Sequence, residues 1–208
     1  EQIEFFPYND PSMLPVVPLR DAKGGWVRVT VELPGRPLRL RTWLVQAGRR
    51  SLFLLDSNDP LNDPGDRGIT AELYGGGQEM RLQQEIVLGI AGWRLLQTLD
   101  LYCPVCHLNE GHAAFAVLER ARHFMVQTGH PFEVALRATR AGNLFTTHTP
   151  VPAGIDRFPR ELVEPRYAAQ HVELGLERIH DLVERAPVQV LPGLLALQAH
   201  GRLAQAEL

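Results

Sequence analysis

Leu101-Tyr102-Cys103-Pro104-Val105-Cys106-His107-Leu108-Asn109-Glu110-Gly111-His112-Ala113-Ala114-Phe115 is the stretch on which the fold turns. An apolar strand candidate, Leu101 to His107, runs into a polar turn and then into helix formers from Gly111 to Gln127. A second helical stretch follows from Pro131 to Ala141, and a strand-like segment from Asn143 to Thr147. Strand, helix, helix, strand predicts an α/β layer. Upstream, Leu82, Ile86, Ile90 and Trp93 recur every three to four residues and predict one helix from Gln78 to Leu99. Further upstream the period is two. Val27, Val29, Val31 and Leu33 share one face, and Leu38, Leu40, Thr42 and Leu44 alternate likewise after Pro34-Gly35-Arg36-Pro37, a β-hairpin pattern. Leu52 to Leu55 is a third strand candidate, stopped by Asp56-Ser57-Asn58-Asp59-Pro60. Downstream, Pro159 to Glu184 reads as helical, and the Leu- and Ala-rich Pro187 to Leu208 as an appendage.

Composition bounds the partners. The 208 residues suffice for one well-buried core or two small ones, and 45% of them are hydrophobic. Twenty-one Lys and Arg against 24 Asp and Glu give a net charge of −3, which offers no broad attraction to nucleic acid or anionic membrane. No run approaches 18 apolar residues, and Glu1 to Asp10 lack the regions of a secretory signal, so a cytoplasmic location is expected. Two cysteines are too few for a disulfide scaffold. A chain that begins with Glu1 rather than Met is expected to lack its upstream part.

Two clusters could carry chemistry. The turn His107-Leu108-Asn109-Glu110-Gly111-His112 falls where α/β folds place ligand sites, at the carboxyl end of a strand. Helix capping is the competing explanation, because Asn109 can accept from free backbone N–H groups and Glu110 suits a positive helix end. The second cluster, Phe145-Thr146-Thr147-His148-Thr149-Pro150-Val151-Pro152, ends another strand with a histidine and three hydroxyls. A turn whose threonines bond the backbone would explain it as well. Two such loops at one edge of one sheet would converge on a single cleft.

Other patterns point elsewhere. Cys103-Pro104-Val105-Cys106-His107 matches the c-type haem motif, but a buried strand without an export signal is the wrong setting, and no haem is expected. Zinc held by Cys103, Cys106, His107 and His112 conflicts with the alternation of a strand, so no metal is expected either. Tyr74-Gly75-Gly76-Gly77 before the long helix could approach an anion, yet it lacks the phosphate-loop lysine and reads first as a hinge.

Taken in order, Ser51 to Asp56, Asp66 to Gly76, Arg81 to Gly89, His107 to Phe115 and Phe145 to Phe158 resemble the α-glucan phosphorylases of the shorter bacterial type, from about Pro7 to Tyr167. The combination of Leu-Asn-Glu-Gly-His-Ala-Ala-Phe with Phe-Thr-Thr-His-Thr-Pro-Val-Pro-Ala-Gly is the specific part. The resemblance implies a pyridoxal-phosphate glycosyltransferase that phosphorolyses terminal α-1,4-glucosyl residues of glycogen, starch or maltodextrin to glucose 1-phosphate. It implies that residues 1–185 are an internal portion of a Rossmann-like amino-terminal domain with a hairpin-rich start, and that 186–208 are a divergent helical tail. By position, His148 would line the pocket of the reacting glucose, Glu110 and His112 would lie beside it, and Gly76 and Gly77 would belong to a gate over the site. Gly77 departs from the acidic residue expected there, and the tail after Glu184 loses the resemblance. The cofactor lysine and its phosphate-binding residues belong to a second, carboxyl-terminal domain. No catalytic or cofactor-binding residue is therefore expected in this chain, which should be inactive alone, its partners being α-1,4-glucan, phosphate and that domain. The alternative is a stand-alone carbohydrate-binding or regulatory module on the same scaffold, with Trp26, Trp43 and Trp93 as possible platforms.

Overall fold

The computed structural model describes residues 9–73, 76–148 and 156–168. The tail, the helical expectation beyond Ala168, Tyr74-Gly75 of the glycine loop and Thr149 to Ile155 lie outside the described residues. Strands and helices are both present, in an order consistent with an α/β chain.

The alternating amino-terminal half forms an antiparallel sheet: β1 (Val17–Pro18), β2 (Arg28–Leu33), β3 (Arg36–Ala47) and β4 (Arg50–Asp56). β2 and β3 pair from Arg28↔Arg41 to Leu33↔Arg36, leaving a two-residue turn at Pro34-Gly35. Gly35 has φ +75°, a conformation that costs glycine little and other residues much. β3 is long enough to meet β2 along its first half and both β1 and β4 along its second. Val27, Val29, Val31, Leu33, Leu38 and Leu40 are buried on one face, as the alternation predicts; Thr42 is buried with them and Leu44 half-buried. The loop after β4 is fastened back to the sheet by ion pairs, Arg28 Nε to Asp59 at 2.6 Å and Arg36 to both oxygens of Asp66 at 2.6 and 2.7 Å.

The sheet packs on the helical segment that starts at Gln78. That segment is α1 (Gln78–Ile86), a π-helical turn (Val87–Ala91) and α2 (Gly92–Thr98), so the single α-helix expected is interrupted. Leu82, Ile86, Ile90 and Leu95 enter the main core with the sheet residues and with Phe115 and Phe158. Gly89, in the π turn, lets the backbone of residues 115–116 approach closely: a Cβ there would sit 2.8 Å from the Ala116 amide nitrogen and 2.8 Å from Phe115 Cβ.

The strand expected over Leu101 to His107 starts later, as β5 (Cys106–Asn109). Pro104 has no N–H to give a ladder, and pairing begins where Cys106 N donates to Gly142 O at 2.7 Å. A short 3₁₀ turn (Gly111–Ala113) leads into α3 (Phe115–Thr128), followed by α4 (Phe132–Arg140) and β6 (Asn143–Thr146), one residue shorter than expected. β6 pairs parallel to β5, from Cys106↔Asn143 to Asn109↔Thr146, so the two helices form the crossover. Glu119, fully buried on α3, pairs with Arg94 of α2 at 2.9 Å and with Arg122 at 2.6 Å, while Arg94 also donates to Thr30 O of β2. This knot joins sheet, α2 and α3. The last described element is α5 (Arg160–Ala168), tied to the start of α1 by Arg166 and Glu79. No helix among the described residues is long and apolar enough to cross a membrane.

Candidate functional site

Parallel pairing puts the carboxyl ends of β5 and β6 side by side, so the two polar clusters meet. The ladder is extended by Glu110 N donating to Thr146 O at 2.8 Å. There the backbone turns sharply, since Glu110 has φ 63° and ψ −165°, a region that L side chains rarely adopt. The turn brings the Glu110 carboxylate, in a 7% exposed residue, onto the other strand end, where Oε1 accepts from His148 N at 2.5 Å. Asn109 Oδ1 lies 2.7 Å from His148 Nε2. An amide oxygen only accepts, so Nε2 carries the proton in this bond. His148 is thus held at its backbone by one residue of the β5 end and at its exposed ring by the next. His107 Nε2 and Thr146 Oγ1 form a third link at 2.6 Å.

Helix capping does not explain these residues. The 3₁₀ turn that follows has no side-chain cap bond from Glu110, and Asn109 belongs to β5 rather than to a helix start. Glu110 Oε1 and Asn109 Oδ1 bond His148 instead. The strand also separates the residues of the zinc pattern: Cys106 is buried, its neighbour His107 is exposed on the opposite face, and burial raises both thiol pKa values.

A second group stands beside the strand ends, built on His112. Arg81 of α1 approaches His112 Nδ1 at 3.5 Å and donates to Asp156 Oδ2 at 2.5 Å, and His112 and Asp156 are 4.0 Å apart. Glu85, one turn after Arg81, completes the group; Glu85, His112 and Asp156 bring ligand-type atoms within 4.8 Å of one another. A divalent cation could use such a triad, but Arg81 already supplies a positive charge inside it. Burial, a hydrogen bond to Asp156 and the Asp156 charge push the Glu85 carboxyl up to about 8, against an opposing pull from Arg81.

Of the residues singled out in the sequence, Glu110 and His148 touch, and His112 lies in the adjoining group. Gly76 and Gly77 stand before α1. Gly76 has φ +76°, and a Cβ on it would meet Met80 Cβ at 2.7 Å, so glycine is required there. Gly77 is the N-cap residue of α1 without a side chain to cap it. Sequence reasoning missed Glu85 and Asp156 as members of the cluster. For Glu85 the signal was available, a carboxylate at core-facing spacing between Leu82 and Ile86. Trp26 and Trp43 form an edge-on pair with centroids 4.8 Å apart and with Arg41 against both rings, a packing contact within the sheet.

Among known proteins, the chain is 47% identical over 184 residues to the glycogen phosphorylase of Mycobacterium tuberculosis, covering 86% of this chain and 21% of that protein. It is 45% identical over 168 residues to the maltodextrin phosphorylase of Thermococcus litoralis, covering 81% and 20% respectively. It is 30% identical over 159 residues to the glycogen phosphorylase of Aquifex aeolicus, covering 76% and 23%. The chain spans about a fifth of the length of these relatives. No family model matches it.

Proposed function

Because this chain is homologous to the glycogen and maltodextrin phosphorylases along most of its length, we propose that it supplies part of the glucan-binding wall of an α-glucan phosphorylase. The reaction is phosphorolysis of terminal α-1,4-glucosyl residues to glucose 1-phosphate, in the cytoplasm, and it needs residues outside this chain. The β5–β6 unit with its helical crossover is then part of a Rossmann-like amino-terminal domain.

One observation carries the reading at the level of residues: His148 is fixed from two directions by Asn109 and Glu110 at paired strand ends. A polar group held in place before a sugar arrives can select one hydroxyl, since a hydroxyl that misses its partner loses a hydrogen bond in a desolvated site. His112, with Arg81 and Asp156, forms the adjoining wall, and Gly76-Gly77 the hinge of a gate. The chain does not fit pyridoxal phosphate as a covalent cofactor. Its single lysine, Lys23, sits in an exposed turn organised by Asp21, and no lysine stands among the clustered residues of the strand ends. In the proposed enzyme that group and its chemistry belong to the second domain, and the isolated chain is inactive.

In a complete enzyme rebuilt around this segment, His148→Ala lowers kcat/KM for phosphorolysis by roughly 10–100-fold without unfolding it, the scale of one or two lost hydrogen bonds. His112→Ala is milder. Full activity of His148→Ala together with loss of activity in His112→Ala would reverse the two assignments. Submillimolar maltoheptaose binding by the isolated chain would favour a stand-alone binding module instead.

A further inference from the structure

Glu85 occupies a position where a charged carboxylate is out of place. It lies on the core-facing side of α1 between Leu82 and Ile86, both fully buried, and is itself 6% exposed. Its Oε1 is buried without a hydrogen-bond partner. An ionised carboxylate with an unsatisfied buried oxygen is costly, whereas a carboxylic acid needs only an acceptor for its one proton. Asp156 provides that acceptor.

The charges around it lead to the same assignment. Arg81 faces Glu85 from its own helix, His112 from the 3₁₀ turn, and Asp156 from the segment before α5; Glu79, paired with Arg166, stands at the first turn of α1. One guanidinium serves two carboxyl groups. With both ionised and His112 neutral, the cluster would carry an excess negative charge against the buried Glu85. With one proton on the more buried carboxyl, Arg81 and Asp156 balance as a pair.

We propose that Glu85 is a positioning residue that works as a neutral acid, donating its proton to Asp156 and thereby holding the Arg81–Asp156 pair against His112. The upward displacement of its ionisation to about 8 agrees with this state at neutral pH. A raised acid pKa gives a stabilisation that is complete below the unfolded value of about 4.5 and is lost as pH rises through about 8. Above that pH Glu85 and Asp156 repel, and the segment at Asp156 loosens from α1. The inference rests on the cluster alone and needs no glucan, so it can fail or hold independently of the phosphorylase reading.

The test uses the full chain and two measurements. In infrared difference spectra between wild type and Glu85→Gln, a carboxylic-acid C=O stretch is expected in the wild type at pH 7 and absent from the variant, fading with a midpoint near pH 8. Hydrogen exchange in peptides covering residues 156–166, corrected for the intrinsic rate, is expected to rise through the same midpoint. Glu85→Gln keeps a donor for Asp156 and should stay protected across that range, whereas Glu85→Ala should be unprotected at every pH. A carboxyl stretch that is already gone at pH 6 overturns the proposal. So does wild-type protection that does not change through pH 8. The pH dependence of exchange is read from the wild type and stands even if a variant fails to fold.

Discussion

The close approach at Gly89 gives a sharp test of how the helices are assembled. A methyl group added there would lie 2.8 Å from the Ala116 amide nitrogen, 2.8 Å from Phe115 Cβ and 3.1 Å from the Phe115 carbonyl carbon. Two of those atoms are backbone, so no rotamer change relieves them and α3 must shift. Overpacking of this kind costs about 1–3 kcal/mol, and the upper half of that range applies where backbone is struck. Alanine recovers about 1 kcal/mol of helix propensity over glycine. The net expectation for Gly89→Ala is a loss of about 1–2 kcal/mol. Gly92, three residues on, is the internal control: it has helical dihedrals with φ −57°, and a Cβ there meets nothing within 4 Å. Gly92→Ala should therefore gain about 0.5–1 kcal/mol. Urea unfolding followed by circular dichroism measures both. With a slope of about 2 kcal/mol/M the midpoint moves down by about 0.5–1 M for Gly89→Ala and up by about 0.3–0.5 M for Gly92→Ala. Midpoints that both move up would refute the packing argument, because propensity would then govern both sites.

Glu119→Gln should destabilise the chain by about 3 kcal/mol in the same assay, since the fully buried carboxylate is the shared partner of Arg94 and Arg122; a change below about 1 kcal/mol would mean that the knot contributes little. In light scattering the isolated chain should self-associate, because Leu52 and Leu54 of β4 are 50% and 38% exposed and Val17 is 56% exposed. Leu52→Lys should reduce the association, and a monomeric wild type would count against this surface argument.

Much of the fold was legible because periodicity reports a one-sided burial. Val27 to Leu33 and Leu38 to Leu44 alternate because the sheet buries one face, and Leu82, Ile86 and Ile90 recur because α1 and the π turn lean on it. The start of β5 was misplaced because hydrophobic Leu101 to Val105 satisfy the pattern while Pro104 cannot satisfy the ladder. Polar contacts were harder. The clusters around Asn109 and His148 were visible as residue types at two segment ends, but the bond across 39 positions depends on the parallel register. Arg81 and Asp156 lie 75 positions apart, and nothing local to Asp156 marks its partner. Glu85 was hidden for a different reason, since its helical spacing says buried and its charge says exposed, and only the neighbouring carboxyl and guanidinium reconcile the two.

The π turn at Val87–Ala91 also sets the phase of everything on either side of it. A π turn carries the extra residue that a one-residue insertion into an α-helix would leave. Winding the same residues as regular α-helix, without the wider turn, would rotate one half of the segment by about 100° relative to the other. The two halves have separate obligations: Arg81 and Glu85 face His112 and Asp156, and Arg94 faces Glu119. No single rotation satisfies both. The segment therefore depends on its π turn at a place where its sequence, Val-Leu-Gly-Ile-Ala, looks like ordinary helix filling.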